Sequence, residues 1–81
     1  MNRQEAAVIK AYLCDGWSHR RIQERILGID APERGGGYEA MKILHVYGIT
    51  GEYKSALKGR TFDADAFEAA GNIRNYLGVS S

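Results

Sequence analysis

The chain has 81 residues, a formal net charge of +1 and one cysteine, Cys14. At that length a hydrophobic core only just suffices without disulfides or metal, so most of the 44% hydrophobic content is committed to structure and little remains for a deep substrate pocket. No apolar run approaches the roughly 20 residues of a membrane span, a lone cysteine fits a reducing compartment, and the polar start Met1-Asn2-Arg3-Gln4-Glu5 does not read as a signal peptide. The expectation is one cytoplasmic domain over residues 1–81.

From Gln4 to Leu13 the apolar residues Val8, Ile9, Tyr12 and Leu13 recur at helical spacing, and Asp15-Gly16 ends that helix. Ser18 is placed to cap a second helix, with Ile22, Ile26 and Ile29 on its buried side, Arg21 and Arg25 a turn apart on another face, and Leu27-Gly28 at its end. The next connection holds the only proline, Pro32, and the run Gly35-Gly36-Gly37, whose entropic cost calls for positive φ angles or a close approach to something. Tyr38, Met41, Leu44 and Tyr47 then predict a third helix, widened by Ala40 and Ile43, with Glu39, Lys42 and His45 facing elsewhere. Gly48-Ile49-Thr50-Gly51 closes it. Residues 52–60 fit a short helix or irregular loop better than a small β-ribbon, because alanine, lysine and glutamate outnumber β-branched residues. Asp63 caps a final helix with Ala66, Phe67, Ala70, Ile73 and Leu77 on one face and Gly78 at its end. The fold class is all-α, a compact body of four helices, or five, with a long glycine-rich turn.

Charge is unevenly distributed along this scaffold. Between Gly16 and Arg60 eight basic residues face five acidic ones, a surplus of three, whereas Asp63, Asp65 and Glu68 open the last helix, where the helix dipole favours negative charge. Ser18, His19, Arg20 and Arg21 at the start of the second helix, and Gly35, Gly36 and Gly37 before the third, are candidate phosphate contacts through side chains and bare amides. Lys54, Lys58 and Arg60 suit flanking phosphates, although they serve equally as loop solubility. Arg34, Lys42 and His45 are candidates for base edges, since arginine and lysine pair well with guanine in the major groove. The glycine run lacks both the G-x-G-x-x-G pattern and the lysine of a P-loop, so no nucleotide cofactor is expected. His19, His45 and Cys14 give no pattern for a metal site or a nucleophile, and no enzymatic activity is expected.

Leu13 to Ile29, with Gly16, Ser18, Ile22 and Leu27-Gly28-Ile29, resembles the first half of bacterial and phage helix-turn-helix DNA-binding domains. The resemblance implies a double-stranded-DNA-binding module of a transcription regulator, a phage protein or a restriction-type system. The connection from Gly28 to Gly37 is longer than the three or four residues usual in that turn, which leaves the docking angle open. The near-neutral total charge favours a dimer as the effective reader. The alternative is a small protein-binding module, such as a phage-encoded inhibitor or adaptor, that presents Arg34 and the glycine loop to a protein partner.

Overall fold

A computed structural model describes residues 1–30 and 36–80. The described residues hold five α-helices and no strand. The first, α1 (Arg3–Leu13), begins one residue before the periodicity predicts. Asn2 Oδ1 accepts from the Glu5 amide at 2.7 Å while Glu5 Oε1 accepts from the Asn2 amide at 3.0 Å, a reciprocal cap that uses two otherwise orphaned donors. From Val8 to Cys14 only Lys10 is exposed, so α1 is covered on most sides and acts as the spine of the core.

The second helix changes character part-way. α2 (His19–Ile22) is α-helical and is capped by Ser18, whose Oγ accepts from the Arg21 amide at 3.2 Å. It runs on as a π-helical turn over Gln23–Leu27 and ends at Gly28 in the left-handed region, φ 68°. The wider turn rotates the residues beyond it away from α-helical phase. Ile22 is fully buried and Ile26 half-buried, but Ile29, expected on the same buried side, is 43% exposed.

The third helix, α3 (Tyr38–Val46), buries Ala40 and Leu44 against α1 and α2. Tyr38 does not belong to the core stripe as expected: it stands at the helix entrance, 62% exposed. Residues 51–60 form no ribbon. A 3-10 turn over Gly51–Tyr53 leads into turns in which the Ser55 and Leu57 amides donate to the carbonyls of Tyr12 and Leu13, at 3.0 and 2.9 Å. The segment therefore closes the carboxyl end of α1, satisfying carbonyls that the helix leaves open.

The predicted last helix is two helices. Asp63 caps α4 (Ala64–Ala70), its Oδ1 accepting from the Ala66 amide at 3.1 Å. Gly71, at φ 88°, ends α4, and Asn72 Oδ1 accepts from the Asn75 amide at 2.8 Å to start α5 (Ile73–Ser80). Gly78 lies inside α5 rather than ending it. The two helices pack together, and Phe62, Phe67 and Tyr76 meet edge-on or tilted with centroids 5.5 to 5.8 Å apart. Among the described residues no helix is long and apolar enough to cross a membrane.

Candidate nucleic-acid interface

The outer face of α2 and its π-helical turn holds an open recess of about 230 Å³ lined by Ser18, Arg20, Arg21, Glu24 and Arg25. Helical geometry places residues three and four apart side by side, which among the described residues gathers three guanidinium groups here with one carboxylate. Each arginine is held differently. Arg20 Nε donates to Glu24 Oε1 at 3.0 Å. The Arg21 guanidinium carbon lies 4.3 Å above the centre of the half-buried Trp17 ring, a cation–π contact that orders the group through its face and leaves its edge donors outward. Among the described residues neither Arg21 nor Arg25 forms an ion pair.

The inner face of the same element is closed. His19 stacks on Tyr12 of α1 with ring centroids 5.1 Å apart and planes 9° from parallel. Burial holds its imidazole below the usual value, and the nearby His45 and Lys54 push in the same direction, so it is neutral at pH 7. Gly37 is buried at φ 77°, and a Cβ there would stand 2.5 Å from the Arg20 nitrogen and from the carbonyl carbon and Cβ of His19. The close approach that calls for glycine at this position is therefore supplied by α2 itself. Gln23, 5% exposed, accepts from the Glu39 amide at 3.1 Å, so the entrance of α3 already has an internal partner.

The structure thus brings Ser18, Arg20 and Arg21 together and adds Arg25, which the sequence places on the arginine face without a role. His19 is turned toward the core, and Gly36 is half-buried beside the buried Gly37. Gly35 and Arg34 lie outside the described residues. Lys42 and His45 are exposed on α3 and line no part of the recess. Lys42 Nζ sits 3.9 Å from Glu39 Oε1 and 5.4 Å from the centre of the Tyr38 ring. Lys54, Lys58 and Arg60 are exposed on the segment that closes α1. Gln23 and Glu24 are the residues of this region that sequence reasoning does not single out; the i, i+4 spacing of Arg20 and Glu24 was the available signal for the second.

Cys14 is buried, and burial, reinforced by Asp15, raises its thiol above the usual range, so it is a protonated core residue at neutral pH. Among the described residues no three His, Cys, Asp or Glu side chains are grouped closely enough to hold a metal ion. No family model, curated protein or solved structure matches the chain.

Proposed function

We propose that this chain is a double-stranded-DNA-binding module of helix-turn-helix type, with the recess on α2 as its phosphate grip. The observation that carries the reading is the gathering of Arg20, Arg21 and Arg25 around one open recess with a single carboxylate among its described lining residues. A planar guanidinium presents paired donors that match phosphate oxygens, and Trp17 holds Arg21 in place before any ligand arrives. Ser18 and the start of α2 set the register on the backbone, while Lys42 and His45 on the exposed arc of α3 face the bases. Two copies acting together offset the low net charge.

Titration of a short duplex at about 50 and about 200 mM salt tests this. Affinity is expected to fall steeply with salt, and replacing Arg20, Arg21 and Arg25 by glutamine is expected to flatten the slope by about two to three, roughly 0.9 for each phosphate no longer neutralised. Undetectable binding at low salt, or a slope that the triple variant leaves unchanged, overturns the reading.

A protein-binding role is favoured by a different observation. Tyr38 and Val46, 62% and 77% exposed, stand two helical turns apart on α3 with Lys42 between them. Retention on immobilised duplex DNA at low salt separates the readings, since a protein-binding module passes through.

A further inference from the structure

We infer that Glu24 is a built-in competitor for phosphate, so that a ligand must displace an internal carboxylate to reach the Nε edge of Arg20. The inference rests on the duplex reading of the recess. Among the described residues lining it Glu24 is the only acidic one, and its Oε1 accepts the hydrogen bond from Arg20 Nε at 3.0 Å. That contact uses one edge of the guanidinium, the same kind of edge a phosphate would occupy. Both side chains are 44% exposed and one helical turn apart, so the pair is solvent-screened and among the weaker kinds of ion pair. It can be exchanged: when a phosphate engages Arg20, the Glu24 side chain needs only a rotamer change to reach water.

The three arginines are therefore unequal. Arg21 rests on Trp17 through its face, which leaves its edge donors for a ligand, whereas Arg20 offers its Nε edge only after Glu24 is displaced. The carboxylate also repels neighbouring phosphates along the strand. Both effects lower the affinity for an arbitrary backbone, which restrains sequence-independent binding and leaves a larger share of the discrimination to other contacts.

The test uses the full chain, a short fluorescent duplex and anisotropy at several salt concentrations. Glu24→Gln is expected to raise affinity roughly three- to tenfold at low salt and to steepen the salt slope by about one. In the Arg20→Gln background the same change should give a clearly smaller gain. An unchanged or weaker affinity for Glu24→Gln, with the unaltered protein binding, overturns the competitor role and leaves the duplex reading standing. An equal gain in both backgrounds also overturns it, because Glu24 would then act only as a repulsive charge. If neither protein binds at low salt, both ideas fall. A measurement without substitutions checks the exchange: the Arg20 Nε–H NMR resonance is expected to move as duplex saturates the protein, and a resonance that stays in place overturns the inference.

Discussion

The two faces of α2 carry groups that look alike in the sequence and are used in opposite ways. Toward the core, the bare backbone of Gly37, the amide of Glu39 and the ring of His19 are each engaged, by α2 itself, by Gln23 and by Tyr12. Toward solvent, Arg21 and Arg25 have no ionic partner among the described residues, and Arg20 pairs with Glu24 at its Nε. Glycine, free amides and polar side chains near a helix start suggest anion binding only while their internal partners are unknown. With those partners in place, the inner face has no such groups left over, and the proposed phosphate grip rests on the arginine face.

The largest expected effect breaks the inner face. Gly37→Ala would put a methyl group 2.5 Å from the backbone of His19 and Arg20 at φ 77°, a region costly for any residue with a Cβ. Left-handed strain of about 1–2 kcal/mol together with overpacking of about 1–3 kcal/mol predicts a loss of about 2–5 kcal/mol, measured by urea unfolding. A loss below about 0.5 kcal/mol would mean that α3 can move off α2 freely, and the distinction between the faces would fail. Gln23→Ala is expected to cost less, about 1–3 kcal/mol, because the Glu39 amide loses its acceptor at a part-buried site. A neutral result would show that water replaces Gln23 Oε1 without penalty, which would make the entrance of α3 a candidate anion site again.

These inner contacts explain where sequence reading stops. Helix limits set by neighbours in the chain were legible: the caps at Ser18 and Asp63 and the left-handed stop at Gly28 are local chemistry. The break at Gly71-Asn72 was hidden because Phe67, Ala70 and Ile73 stay in phase across it, although glycine followed by a capping asparagine was there to be read. Ile29 lies beyond the left-handed Gly28, where the chain has left the helix and helical periodicity no longer decides which side a residue faces. Gln23 meets Glu39 across 16 positions, and Gly37 meets His19 across a long connection, so neither pairing has a signature in a single sequence. The arginine face was legible as i, i+4 spacing, and the same spacing from Arg20 to Glu24 was there to be read for the pair that the 3.0 Å contact shows.

The smallest expected effect sharpens the contrast through pH. His19 faces Tyr12 from α1, His45 from α3 and Lys54 from the segment that closes α1, and burial with these two basic neighbours holds its folded-state value below 6.5. The unfolded chain therefore takes up the proton first. Stability from a neutral His19 is fully present above about pH 6.5 and declines as pH falls from there through the lower folded value. Glu5 adds a separate decline at lower pH: the Asn2 amide and then the Tyr47 hydroxyl hold its carboxyl below the usual 4.5, so its contribution persists above that value and is lost as acid protonates the folded form. Urea unfolding at about pH 7.5 and about pH 5.5 isolates the first window, and His19→Gln should remove most of the difference there. If the unaltered protein is equally stable at both pH values, His19 is solvated rather than wedged, and it would move from the closed face of α2 to the open one, beside the arginines.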